Sequence, residues 1–251
     1  MDLRNMLPMP DLETCTSLLC IQPHPDDNEV GAGGTIARLA AKGCRVVYLT
    51  VTDGSRGTDD PALRGAPLAA IRRQEAMAAA RVLGVTEHRF LDFEDGSYPD
   101  EQALCHAIAA VIQEVRPELV MSVDPYLPYE GHPDHRRVGL AATEACLFNP
   151  LDLPNAVAGS GDNHPWKVSG IVYQSTAWPN TFINVDDTWE LRNRAILTHR
   201  SQFDEASFAL LGGYFEYKAR QYAQGKGCER AEAFKVLPTL LLHMCVDTMQ
   251  L

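Results

Sequence analysis

The sequence predicts an α/β fold, a Rossmann-like three-layer sandwich in which helices cover both faces of a mostly parallel sheet. Three observations predict it. Short apolar runs alternate with helical patterns from residue 18 to residue 147, the order that a parallel sheet requires. The runs over 18–21 and 46–51 are close to continuously apolar, as strands buried on both faces are. The first of them empties into His24-Pro25-Asp26-Asp27 and then into Gly31, Gly33 and Gly34, a polar, glycine-rich turn of the kind at which an open sheet exposes its ligand site.

With 251 residues and 45% of them apolar, the chain can bury one large core, and it reads as a single domain over 1–251. A net charge of −11 and a pI near 5.1 provide no basic field for nucleic acid or for an anionic membrane surface, so neither is expected as a partner. A neutral or cationic small molecule suits this charge better. The first residues lack the basic-then-apolar order of a secretory signal, and no run approaches the length of a membrane span, so a soluble, cytoplasmic protein is expected. Seven scattered cysteines with no CxxC pair indicate neither a disulfide framework nor a thiolate zinc site.

Taken in order, the first loop leads into a helix over 36–41 that closes on Lys42-Gly43, a cation in the last turn with glycine beyond it. A second strand over 45–51 opens into the polar loop 52–60. The helix that follows, 68–84, carries Leu68, Ile71, Ala78 and Val82 on one stripe. A short strand over 89–91 leads through Glu94-Asp95-Gly96 to a helix over 101–115. The fourth strand, 119–123, feeds a loop that ends in Gly131-His132-Pro133-Asp134-His135 at the head of another helix. Pro133 suits the fixed φ of a first turn, and Asp134 the positive end of the dipole. Residues 149–167, rich in Pro, Gly, Asn and Asp, read as a long polar loop. Short strands near 171–173 and 181–185 and a helix over 187–199 follow. Beyond them only Ala231-Glu232-Ala233-Phe234 and the segment 240–243 stand out.

Two polar clusters thus lie at the carboxyl ends of two strands. Histidine is the commonest metal ligand, and Asp27, three positions after His24, reaches the same ion if the loop curls back, leaving Asp26 free to act as a base. A catalytic zinc takes about three protein ligands, so two are not enough, and the second cluster of His132, Asp134 and His135 must supply the rest. HPDD alone is a short string, and an isolated histidine is more often structural. Its pairing with a second cluster at another strand end is what favours a metal site.

The competing reading is a nucleotide-binding Rossmann domain. Against it, Gly31-Ala32-Gly33-Gly34-Thr35-Ile36 has isoleucine at the third glycine of the fingerprint, and Asp26 and Asp27 would repel a pyrophosphate. A metal-dependent hydrolase of another amide or of an ester is a further alternative. Several residues have plain readings beside functional ones: Arg72 and Glu75 as an i,i+3 surface pair, Asp95 as a turn residue, Asp53 as the start of an Asp-Gly turn, His199 as a cation at a helix end.

In order along the chain, HPDD after the first strand, Thr52-Asp53-Gly54, the IRRQE run at 71–75, Leu83-Gly84-Val85, HPDH at 132–135, HRSQ at 199–202 and AEAF at 231–234 resemble the LmbE-like, or PIG-L, family of zinc-dependent N-acetylglucosaminyl deacetylases. The resemblance spans roughly residues 18 to 243. Within the family the sequence is similar to the archaeal diacetylchitobiose deacetylases at 20–36, 124–137 and 199–203. Asn28-Glu29-Val30 and the 149–167 loop depart from that pattern and leave the choice of sugar open.

The resemblance implies a zinc cofactor and, as substrate, a small molecule bearing N-acetylglucosamine, either a chitobiose-like disaccharide or a conjugate. It implies that His24, Asp27 and His135 bind the zinc and that Asp26 is general base to the activated water. A protonated His132 would meet the oxyanion, and Asp134 would orient an imidazole. Arg72 and Asp95 match sugar-contacting positions. His243 matches a residue lent by a neighbouring subunit, which implies a homo-oligomer.

Overall fold

The predicted alternation is realised in β1 (Ser17–Gln22), α1 (Asp27–Ala41), β2 (Arg45–Thr52), α2 (Ala66–Val82), β3 (Glu87–Phe93), α3 (Glu101–Val115), β4 (Leu119–Val123) and α4 (Pro133–Asp152). It continues with β5 (Gly170–Gln174), β6 (Thr181–Asn184), α5 (Trp189–Ile196), α6 (Glu205–Ala223) and β7 (Ala231–Pro238). This computed structural model describes residues 6–97, 100–152 and 166–251.

The strands form one sheet in the order β3-β2-β1-β4-β5-β7-β6. All pairings from β3 to β5 are parallel, and β7 runs antiparallel between β5 and β6. Because side chains alternate along a strand, β1 feeds two cores. Leu18 and Cys20 pack with Ile36, Tyr48 and Met121 under α1, α2 and α5, while Leu19 and Ile21 pack with Ile108, Ile112 and Val138 under α3 and α4. Each such fully buried aliphatic side chain contributes about 1.5–3 kcal/mol relative to exposure. The result is the three-layer sandwich predicted above.

β1 lies between β2 and β4, so the chain leaves β1 toward one edge of the sheet and later returns to its other side. A crevice opens at the carboxyl ends of strands where the order reverses in this way. The loops after β1 and β4, which carry the two polar clusters, meet there.

The glycine-rich stretch is not a turn. α1 begins at Asp27, and Gly31, Gly33 and Gly34 lie inside it. Glycine costs a helix interior about 1 kcal/mol relative to alanine, and close packing is the reason it stands here. A methyl group on Gly34 would come within 2.8 Å of Val185 Cγ1, and one on Gly33 within 2.9 Å of Arg192 Cγ. The helix presses against α5 and the segment before it, which brings its N-terminus to the crevice.

α4 continues to Asp152, into the stretch read as a polar loop; positions 153–165 of that stretch lie outside the described residues. α6 and β7 are the elements the sequence left unread. Gly212-Gly213 interrupts the helical signal of α6, and the buried charges Glu232 and Lys235 interrupt the apolar run of β7. All seven cysteines are free, and among the described residues no helix is long and apolar enough to cross a membrane.

Candidate metal centre

Only residues 23–26 connect β1 to α1, and the short reach forces a sharp turn. Asp26 takes it up with φ 131°, a conformation an L-residue rarely adopts. Its surroundings hold it there. Arg72, 3% exposed, donates from Nη2 to Pro25 O at 2.7 Å and to Asp26 Oδ2 at 3.1 Å, and from Nη1 to Gly54 O at 3.1 Å. Thr52 donates to Pro23 O from both its backbone N–H (2.9 Å) and its hydroxyl (2.8 Å). The His24 N–H donates to Asp27 Oδ2 at 2.8 Å, which is the backward curl the sequence required.

The loop after β4 is longer and ends where Pro133 starts α4. Glu130 Oε1 accepts the His132 N–H at 2.7 Å, and the Asp134 N–H donates to His132 Nδ1 at 3.3 Å. That bond makes Nδ1 the acceptor and leaves the ring proton on Nε2. Asp134 Oδ2 also accepts the Gly96 N–H at 2.9 Å, tying in the loop after β3.

The two loops converge on His24. Its Nε2 lies 3.2 Å from Asp134 Oδ2 and 3.5 Å from Asp95 Oδ1, and its Nδ1 lies 3.5 Å from Asp27 Oδ2. The second Asp27 oxygen is 3.4 Å from His135 Nε2, and His135 Nδ1 is 3.3 Å from Glu130 Oε2. Ring centroids are 4.6 Å apart for His24 and His132 and 5.0 Å for His132 and His135. One donor atom each from His24, His132 and His135 fall within 4.8 Å of one another, and so do those from His24, Asp95, His132 and Asp134. Imidazole nitrogens and carboxylate oxygens without thiolate form a donor set that fits zinc or a neighbouring first-row divalent ion. Asp27 lies between two of these imidazoles, those of His24 and His135.

The charges are strongly coupled to these contacts. Burial opposes protonation of His24, but bonds to Asp134, Asp27 and Asp95 outweigh it and raise its pKa well above the ordinary value. His135 is likewise raised, the Asp27 bond overcoming burial. Burial would raise Asp27, yet hydrogen bonds from His135 and His24 hold it far below the carboxylate range. Its neighbour goes the other way: burial pushes Asp26 up to about 6, against the pull of Arg72 and with help from the Asp27 charge. His132 is lowered by burial and by the charges on His24 and His135, so the neutral ring is favoured over the protonated one expected from the sequence. A neutral His132 still carries its Nε2–H.

Of the nine site residues expected from the sequence, the structure brings together His24, Asp26, Asp27, Arg72, Asp95, His132, Asp134 and His135. His243 is exposed where a 3-10 turn over Thr239–Leu242 ends, outside this cluster. Arg72 and Glu75 do not pair with each other, because Glu75 accepts the Ser201 N–H (2.9 Å) and hydroxyl (2.6 Å) of HRSQ. His199 lies just past the end of α5, fully buried beside Glu29 with Nε2 to Oε2 3.5 Å, and against the effect of burial that contact raises its pKa.

Asp53 shapes its turn and accepts the Asp95 N–H at 3.0 Å. Sequence reasoning missed Glu130, which holds both histidines of the second cluster. Its place two residues before His132 in a tight Glu-Gly-His turn was the available signal. The glycines that favoured nucleotide binding lie inside α1 and form no phosphate loop.

Comparison with known proteins places the chain among deacetylases. The family model described as GlcNAc-PI de-N-acetylase (PIG-L) matches residues 19–146, which include both polar clusters. A diacetylchitobiose deacetylase of Thermococcus kodakarensis is 41% identical over 233 residues, covering 91% of this chain and 85% of that protein. The structure of the N,N'-diacetylchitobiose deacetylase of Pyrococcus horikoshii in complex with an inhibitor superposes with a TM-score of 0.89 at 35% identity, covering 100% of this chain and 92% of that one. A 1D-myo-inositol 2-acetamido-2-deoxy-alpha-D-glucopyranoside deacetylase of Kineococcus radiotolerans is 33% identical over 61% of this chain, which spans about half (50%) of that protein's length.

Proposed function

The chain belongs to the PIG-L family of GlcNAc-PI de-N-acetylases, and from that premise we infer that it is a hydrolase removing the N-acetyl group from small molecules that contain N-acetylglucosamine. The observation that carries the mechanism is the pair Asp26-Asp27. One carboxylate lies between two imidazoles, and the other is turned away from them under Arg72.

We assign the ion to His24, Asp27 and His135, and zinc as its identity. Held by these residues, such an ion would lower the pKa of a water from 15.7 to about 7 and polarise the acetyl oxygen. Asp26 then acts as general base. Arg72 occupies its Oδ2, so Oδ1 takes the proton of the attacking water and returns it to the departing amine. As the carbonyl carbon becomes tetrahedral, His132 Nε2–H donates to the developing oxyanion; one preorganised donor of this kind is worth on the order of 10²–10³ in rate. Asp134 orients His24 through Nε2, the role that carboxylates commonly play behind a metal-bound imidazole. Arg72 and Asp95 contact the sugar from positions where each also steadies a catalytic group. The products are acetate and a free amino sugar.

The same reading treats residues 1–251 as one domain working in the cytoplasm, whose reducing conditions suit seven free thiols. It also gives exposed His243 to the site of a neighbouring subunit in a homo-oligomer. Acetate release from N-acetylglucosamine, diacetylchitobiose and a GlcNAc-inositol, before and after chelation and zinc add-back, tests the proposal. Zinc-dependent release from at least one of them is expected, and release unaffected by chelation contradicts the metal mechanism.

A further inference from the structure

The metal centre stands at the carboxyl ends of β1 and β4. At the amino ends of β1 and β2, on the opposite rim of the sheet, two sulfurs meet. Cys15 precedes β1, and Cys44 lies between the end of α1 and the start of β2. Their Sγ atoms are 3.7 Å apart, and among the described residues no other two cysteines make such a contact.

The strand register produces this approach. Ser17 pairs with Arg45 in the parallel β1–β2 ladder, and the Arg45 N–H donates to Thr16 O at 2.9 Å. Neighbouring strands lie about 4.8 Å apart and rise about 3.3 Å per residue, so positions 15 and 44, offset by one residue, place their Cα atoms about 6 Å apart. A disulfide spans Cα separations of about 4.4–6.8 Å, so side-chain rotation alone can bring these sulfurs to bonding distance. The backbone beside them is held, because Glu118 Oε2 accepts the Thr16 N–H at 2.8 Å and its hydroxyl at 2.9 Å.

The two thiols also differ in the way that thiol–disulfide exchange requires. Cys15 is 5% exposed, whereas Cys44 is half-buried. A hydrogen bond from the Cys15 thiol holds Cys44 below the ordinary thiol range against the effect of burial, and the same bond together with burial pushes Cys15 far up. Cys44 therefore supplies the thiolate that a reagent can reach, and Cys15 stands behind it as the second sulfur.

We propose that Cys15 and Cys44 form a modification site, a thiol pair that a low-molecular-weight disulfide oxidises to an internal disulfide. The Cys44 thiolate attacks one sulfur of the reagent, which forms a mixed disulfide and releases the first thiolate. Cys15 gives its proton to solvent, attacks the Cys44 sulfur and expels the second thiolate. Two electrons and two protons leave the pair, the reagent departs as two thiols, and excess thiol reverses both steps. The loop so closed contains β1, the turn with His24 and Asp26, and all of α1. Constraining about 30 residues restricts the unfolded chain, so the bond stabilises the half of the fold that carries the first polar cluster.

The test uses the full chain, equilibrated with glutathione disulfide or with excess reduced glutathione, then alkylated and digested with trypsin. In the oxidised sample a species joining peptide 5–38 to peptide 43–45 is expected, and its fragmentation places the bond at Cys15 rather than at Cys20. The melting temperature of the oxidised form should exceed that of the reduced form by about 5–10 °C. Cys44→Ser loses both the cross-linked peptide and the temperature difference, whereas Cys228→Ser keeps both. If Cys44→Ser fails to fold, the peptide map and melting temperatures of the parent decide the matter. A Cys15 still open to alkylation after oxidation overturns the proposal, whether Cys44 is free or carries glutathione. A bond to Cys20, or an oxidised form that melts no higher than the reduced one, overturns it equally.

Discussion

The tripeptide His-Pro-Asp occurs twice, at 24–26 and at 132–134, and the two copies are built in opposite ways. In the first, the histidine is buried and Asp26 sits strained under Arg72. In the second, proline opens a helix in the usual manner, the histidine is exposed, and the aspartate is the buried member, lying against His24. The cause is the length of the connection. Residues 23–26 must turn β1 directly into α1, whereas 124–132 have room to loop outward before α4. In the proposed mechanism, identical letters therefore yield a buried ligand and base in one place, and an exposed donor with a buried orienting carboxylate in the other. Connection length, more than the motif, decides the role.

Substitutions break this contrast in a definite order. His24→Ala removes the imidazole on which three carboxylates converge, and metal content and acetate release are expected to fall together to background. His132→Ala takes away a donor in the proposed mechanism, so kcat falls by on the order of 10²–10³ while bound metal stays near the parent's level. Metal loss in that variant would make the two histidines equivalent and erase the distinction. Asp134→Asn keeps the shape but not the charge against His24, and a metal titration should show affinity or activity lower by about 10–100-fold. Gly34→Ala acts on the support of the first copy alone. Its methyl group meets Val185 and Glu232, and overpacking of about 1–3 kcal/mol should appear as a lower melting temperature.

What the sequence conveyed follows the same contrast. The parallel half of the sheet was legible because β1, β2 and β4 are buried on both faces and so are written in apolar residues, with polar loops directly after them. The antiparallel β7 was not, since Glu232 and Lys235 are buried among its apolar residues and mask the run, and Glu232 is explained only by distant Arg192 and the N–H groups of α1. The glycines of α1 misled for a related reason. Their cause is the close approach of Gln174, Val185 and Arg192, more than 140 residues away along the chain.

Within the site, residue types and spacing identified the cluster. They gave no sign that Arg72 is buried against Asp26 or that Glu130 ties His132 to His135, because those contacts depend on where α2 and the loop after β4 fold.

The adjacent carboxylates of the first copy give the most direct test of the central claim. Metal content and acetate release measured side by side in Asp26→Asn and Asp27→Asn should separate them. Asp26→Asn is expected to keep the parent's metal and lose about 10²–10⁴ in rate, while Asp27→Asn loses the metal. An Asp26→Asn protein that releases acetate at the parent's rate, or two variants with the same metal content, would contradict the division of labour between them.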